Sequence, residues 1–115
     1  MTAGEPHLRD LYQQLKQSWS GETGRHSRPD RPADGQCSVT ALVAHDLLGG
    51  EIFKTNVNGA WHFYNQIAGR RIDFTAEQFE SPNGYDDLPS SREEALEDCT
   101  AEQYRQLRAR VVAGT

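Results

Sequence analysis

The stretch EIFKTNVNGAWHFYNQIAGRRIDF, residues 51–74, decides the fold. Asn58-Gly59 stands between two runs rich in β-branched and aromatic residues. It is a strong short-range signal for a two-residue hairpin, whose central residues must adopt positive φ. The pattern predicts strands over Glu51–Val57 and Ala60–Ile67. The second alternates, with Trp61, Phe63, Asn65 and Ile67 on one face and His62, Tyr64 and Gln66 on the other. With Trp61 and Phe63 turned into the core, His62 would face another layer or a cleft. Ala68-Gly69 provides a second turn, leading to a third strand over Arg70–Phe74.

Outward from the strands, Ser38 to Leu48 is an apolar run of helical length, stopped by Gly49-Gly50. Only His45 and Asp46 are strongly polar within it, so it reads as a buried central helix. An earlier helix is expected over Pro6–Trp19, because Leu8, Leu11, Tyr12, Leu15 and Trp19 repeat at three and four. Between them, Ser20 to Gln36 is a polar loop with no large apolar residue, fit for a solvated connector or a lid over a site. Beyond the strands, Thr75-Ala-Glu-Gln78 and Thr100-Ala-Glu-Gln103 read as capping boxes, and Ser90-Ser91-Arg92-Glu93 similarly. Helical turns are therefore expected from near Ala76, Ser91 and Ala101. The last helix, to about Val112, carries Tyr104, Leu107 and Val111 on one stripe. Strands segregated from helices indicate an α+β domain over residues 1–115. In it, the N-terminal helices pack on a short antiparallel sheet of about three strands, with short C-terminal helices.

Composition narrows the function. The chain has 115 residues and a formal net charge of -5. No basic run interleaves with aromatics, which argues against nucleic acid. The acidic balance argues against anionic membranes, and no segment approaches the length of a membrane span. With no signal peptide expected in Met1–Lys16, a cytoplasmic location follows, where Cys37 and Cys99 are free thiols.

Cys37 is the sharpest chemical feature. It sits where the polar loop enters the apolar helix, so its sulfur feels the positive helix end and several free N–H groups. Both favour a thiolate, and the same N–H groups suit an oxyanion. Gly35 permits a tight turn just before it. His62 is placed to take and return the thiol proton. A two-residue turn at Ala68-Gly69 pairs Tyr64 with Asp73, putting Asp73 on the His62 face and diagonal to it. A carboxylate there can hold the imidazole tautomer; otherwise Asp73 is a partner for Arg70, Arg71 or a lysine. Asn65 is the rival third member, with the wrong strand parity. Gln36 is a candidate oxyanion donor or a loop residue, and Tyr64 lines the site or simply packs. No HxxxH or CxxC spacing or phosphate loop is present, so neither a metal nor a cofactor is expected. His45 reads as a satisfied core histidine, His7 and His26 as solvated, and Cys99 as incidental.

The motifs GQCSVTA (35–41), GGEI (49–52), WHFYN (61–65) and IDFTAEQF (72–79), in that order, resemble the YunG-like family of small bacterial proteins. Its order of Cys on a helix, His on a strand and Asp on the next strand looks like the core of papain-like peptidases, transglutaminases and amidases. The resemblance implies a papain-like core with nucleophile, base and orienter at Cys37, His62 and Asp73. The expected function is a thiol hydrolase or acyl transferase acting on a peptide, protein or small amide. The alternatives are a non-enzymatic binding module on the same fold, or a redox-sensing thiol.

Overall fold

Ser38 to Ala44, seven residues in succession, are buried, and the rest of the molecule is arranged around them. The structure is a computed structural model and describes residues 4–24, 35–76 and 84–114. In chain order the elements are α1 (Gly4–Ser18), α2 (Cys37–Leu48), β1 (Glu51–Val57), β2 (Ala60–Ile67), β3 (Arg70–Ile72), β4 (Leu88–Pro89), α3 (Arg92–Glu97) and α4 (Ala101–Ala113). The architecture is mixed α+β. Among the described residues it has four helices and one antiparallel sheet of order β3-β2-β1-β4.

A helix apolar on every side must be covered on every side, and α2 is. On one flank Val39, Val43 and Ala44 meet Leu11, Leu15 and Trp19 of the α1 region and Leu107 and Val111 of α4. On the other, Ala41 and Leu42 meet Ile52, Phe63 and Ala95. Each buried Val or Leu side chain among them contributes about 1.5–3 kcal/mol, so α2 is the element the fold cannot spare. Trp19 adds a directional contact, its indole N–H donating to Thr40 Oγ1 at 2.9 Å across the α1–α2 interface. The expected packing is thus half right. Only α2 lies on the sheet; α1 packs with α4 against the far flank of α2.

The sheet is built from two hairpins. Asn58 and Gly59 have φ of 53° and 87°, as a two-residue turn of this hand requires. β1 pairs with β2 from Glu51↔Gln66 to Val57↔Ala60. Ala68 and Gly69, at 53° and 78°, make the second turn, giving Ile67↔Arg70, Gln66↔Arg71 and Asn65↔Ile72. That register sets Asp73 opposite Tyr64, as the two-residue turn predicts. β3 ends at Ile72 rather than at Phe74; Phe74 turns into the cluster around α1 and α4. A fourth strand, unexpected from sequence, pairs Leu88 and Pro89 with Lys54 and Phe53. It is two residues long and contains a proline, which only an edge strand tolerates.

The faces of β2 depart from the simple alternation. His62, Phe63, Tyr64 and Asn65 are all buried. Phe63 and Asn65 face α2, while His62 and Tyr64 are covered by chain from 73–75 and 85–87. Trp61, expected in the core with Phe63, is instead 43% exposed, with the Lys54 ammonium 4.2 Å from its ring centroid.

The Thr100 cap behaves as read, with Thr100 and Gln103 forming a reciprocal capping box on α4; the cap of α3 lies one residue later than expected, where Ser91 rather than Ser90 accepts the Glu94 N–H. Thr75 does something else, described below; Gln78 and the rest of that expected turn fall outside the described residues, as do Arg25 to Asp34 of the polar loop. The turn after α2 admits only glycine at one point. Gly50 has φ 80°, and a Cβ there would stand 2.2 Å from the Gln66 carbonyl oxygen.

Ala68 carries the steric cost of a left-handed alanine, about 1 kcal/mol. Ala68→Asn, a residue that accepts this conformation, is expected to raise stability by about 0.5–1 kcal/mol in urea titrations. An unchanged or lower midpoint would contradict this reading of the turn.

Candidate functional site

Cys37 is the first residue of α2. Gly35, two residues earlier, has φ 74°, the left-handed turn that swings the loop into the helix. The first turn of α2 contains no acidic residue, so nothing there opposes negative charge at the helix tip. The sulfur is half-buried against the Ala41–Phe63 cluster.

His62 comes from β2 and is 3% exposed. Its Nε2 lies 2.7 Å from Asp73 Oδ2. With Nε2 on the carboxylate, Nδ1 is the ring nitrogen left for the thiol, and Cys37 stands near enough to the imidazole to favour its charged form. Cys37, His62 and Asp73 are therefore brought together. They arrive from the helix tip, the middle of β2 and the residue just past β3.

Asp73 is held by more than the imidazole. Tyr85 donates its hydroxyl to Oδ2 at 2.8 Å, and Thr75 donates both its N–H and its hydroxyl to Oδ1 at 3.1 Å. The alternative in which Asp73 pairs with Arg71 does not hold. Arg71 makes a two-point contact with Asp87 instead, at 2.9 and 2.5 Å. Tyr64 donates to Asp87 Oδ1 at 2.7 Å, and its ring stacks on that of His62 with centroids 6.1 Å apart. It lines the site from the side of the imidazole.

Two expected site residues have other work. Asn65 donates from Nδ2 to the Ala41 carbonyl at 3.0 Å. It faces α2 and fixes the helix on β2, so it is not the third member; its strand parity sends it to the opposite face from His62. Gln36 is fully buried and turned toward the 20–24 turn. Its Nε2 donates to the Ser20 carbonyl at 3.1 Å, and its Oε1 accepts from the Thr23 hydroxyl at 2.7 Å. Gln36 thus ties the loop to the start of α2 instead of presenting a donor at Cys37. Cys99 contacts the Ala95 carbonyl and packs against both clusters, and half-buried His45 stands 3.4 Å from an Arg92 nitrogen. The His7 side chain and His26 lie outside the described residues.

Sequence reading missed Tyr85 and Thr75. The signal for Tyr85 was a lone aromatic in the polar stretch Asn83-Gly84-Tyr85-Asp86-Asp87. A large ring in such a loop usually has somewhere to dock.

The family model described as "YunG protein" matches residues 7–115. The chain belongs to the YunG family. The Bacillus subtilis (strain 168) protein described as "Uncharacterized protein YunG" is 54% identical over 94 residues, covering 82% of this chain and 82% of that protein. No solved structure matches. The YunG match takes in every residue of the site, from Gly35 to Asp87. Among the described residues, no helix is long and apolar enough to cross a membrane, and no group of three or more His, Cys, Asp or Glu could hold a metal ion.

The electrostatics follow from burial and partners. Burial is the largest influence on His62 and acts against its charge. The hydrogen bonds to Asp73 and Cys37, with the charges of both, outweigh it and raise its pKa from 6.5 to about 9. Burial likewise works against the Asp73 charge, yet the bond to His62, its charge, and the donors from Tyr85 and Thr75 hold the carboxyl below the usual range. Burial pushes the Tyr85 phenol well up, reinforced by the Asp73 charge, so it remains a donor at neutral pH.

Because the folded chain holds the His62 proton more tightly than the unfolded one, its contribution to stability is complete below about pH 6.5. That contribution is lost as pH rises through about 9. The expected result is a urea midpoint that declines over this window, and an imidazole NMR titration centred near 9. In Asp73→Asn, burial is opposed mainly by Cys37, and the His62 midpoint is expected to drop by about two pH units or more. A midpoint of 9 surviving that substitution would show that Asp73 does not hold the proton.

Proposed function

We propose that this protein is a papain-like thiol hydrolase or acyl transferase, with Cys37 as nucleophile, His62 as acid–base group and Asp73 as the residue orienting His62. One observation carries the reading: a buried imidazole, fixed through Nε2 by a carboxylate 2.7 Å away, beside a half-buried thiol at the tip of an apolar helix. A cysteine that served only to fill space would need no charged imidazole next to it. The thiol–imidazole–carboxylate order is the one that activates a nucleophile in covalent catalysis.

The chemistry runs as an acyl transfer. The thiol proton already rests on His62 Nδ1, the imidazole being charged at neutral pH, and the sulfur attacks the acyl carbon of an amide or thioester, forming a C–S bond. Negative charge grows on the carbonyl oxygen, where the backbone N–H of Cys37 and its first-turn neighbours act as donors. As the intermediate collapses, His62 returns its proton to the leaving amine or thiol, and the acyl group stays on sulfur as a thioester. Water or an amine then attacks that thioester, with His62 as base, and Cys37 is released. The acceptor, water or amine, separates hydrolase from transferase; both use the same three side chains. Asp73 stays ionised throughout, because its four donors stabilise the charged form.

The test is the rate of iodoacetamide alkylation of Cys37 as a function of pH, in a Cys99→Ala background so that one thiol reports. Fast labelling near neutral pH is expected, falling about tenfold or more in His62→Gln. Labelling that begins only above about pH 8, the range of an ordinary thiol, and ignores His62 would favour a binding module and sink the enzymatic reading. Peroxide-trapped sulfenate at Cys37, without acyl transfer to any amide or thioester probe, would favour a redox thiol.

A further inference from the structure

We propose that Tyr85 is the positioning residue of this site, its hydroxyl fixing the Asp73 carboxylate in the orientation that holds His62. The inference rests on the reading of Cys37, His62 and Asp73 as a thiol site, and it adds a fourth member from a different part of the chain.

The last side-chain torsion of an aspartate is broad and roughly two-fold. A single bond from Oδ2 to His62 therefore leaves the carboxylate plane poorly defined. Thr75 pins Oδ1 through its N–H and hydroxyl. Tyr85 supplies the remaining constraint by donating to Oδ2, the same oxygen that meets His62, at 2.8 Å. With both oxygens held, Oδ2 has one place to be, and that place is 2.7 Å from Nε2.

Tyr85 is itself held more firmly than a loop tyrosine needs to be. Its ring stands edge-on to Tyr64, centroids 4.8 Å apart, with the Arg71 guanidinium 4.6 Å from the ring centroid. The next two residues anchor its backbone. The Asp86 N–H donates to Thr55 Oγ1 at 2.9 Å, and the Asp87 N–H donates to the Tyr64 hydroxyl at 2.8 Å. Asp87 adopts φ 53°, an uncommon conformation for a non-glycine residue, to place its carboxylate between Tyr64 and Arg71. With ring and backbone fixed, the hydroxyl is aimed at Asp73. A tyrosine present only for packing would not require its hydroxyl to share an acceptor with the imidazole.

The experiment uses the whole chain. His62 is titrated by imidazole NMR in wild type, Tyr85→Phe and Tyr104→Phe. Tyr85→Phe keeps the ring and its packing and removes only the donor, so folding is preserved. Tyr104→Phe removes a hydroxyl that bonds Asp46 and Arg92 and touches neither Asp73 nor the segment that carries Tyr85. The expected result is a His62 midpoint displaced downward by about half a pH unit or more in Tyr85→Phe, with Tyr104→Phe close to wild type. Alkylation of Cys37 at pH 7 should slow by about threefold or more in Tyr85→Phe alone. A His62 midpoint in Tyr85→Phe that equals or exceeds wild type overturns the proposal, as does an equal displacement in both variants. The titration reads the His62–Asp73 pair whether or not Cys37 is reactive. Failure here, with His62-dependent alkylation intact in wild type, therefore removes Tyr85 and leaves the thiol site standing.

Discussion

Placing a negative charge where water barely reaches it is the constraint on which this structure turns. The Asp73 side chain is 6% exposed, and an isolated carboxylate in that position would cost several kcal/mol or take up a proton. It remains charged because an imidazole, a phenol, a hydroxyl and a backbone amide all donate to it. Those donors come from β2, from the turn after β3, and from the segment leading into β4. The carboxylate therefore gathers three parts of the chain around one point. The imidazole it holds is in turn forced into the charged form well above the ordinary histidine range.

The second requirement is that the thiol arrive at this point, and α2 supplies it. Its position is set from both flanks, by α1 and α4 on one side and the sheet on the other. Asn65 registers the helix along β2. At its start, Gln36 is gripped by the 20–24 turn, which Arg110 of α4 holds through the Ser18 carbonyl and the Ser20 hydroxyl at 3.1 and 2.7 Å. A chain of contacts thus runs from the last helix to the residue before Cys37. The terminal helices, which contribute nothing to the site directly, decide where Cys37 stands.

Much of this was legible in the residues, and the parts that were not have physical causes. Both hairpins were, because two-residue turns have few sequences that satisfy them and fix the register once satisfied; the placement of Asp73 relative to His62 follows from that alone. The central helix was visible as an apolar run with a glycine stop, and the Thr100 capping box as a local pattern. Alternation along β2 assigned residues to faces correctly but said nothing of what covers each face, so Trp61 was expected inside and the segment 85–87 over His62 and Tyr64 was not foreseen. Gln36 was legible as a residue near Cys37, but its direction depended on the distant Ser20 and Thr23. β4 and Tyr85 carried no periodic signal. A two-residue strand containing proline and a tyrosine in an acidic loop acquire meaning only from what they dock against.

The two tryptophans, so different in their surroundings, make the molecule its own optical reporter. Trp19 lies in the interior with its indole bonded to Thr40, whereas Trp61 stands at the sheet margin beside His62, half in solvent under a lysine. Emission from the first comes from an apolar, rigid setting and is shielded from iodide, while the second emits further to the red and is open to collisional quenching. Events at the exposed end of β2 and loosening of the helical interior can therefore be told apart in one fluorescence spectrum, without attaching a dye.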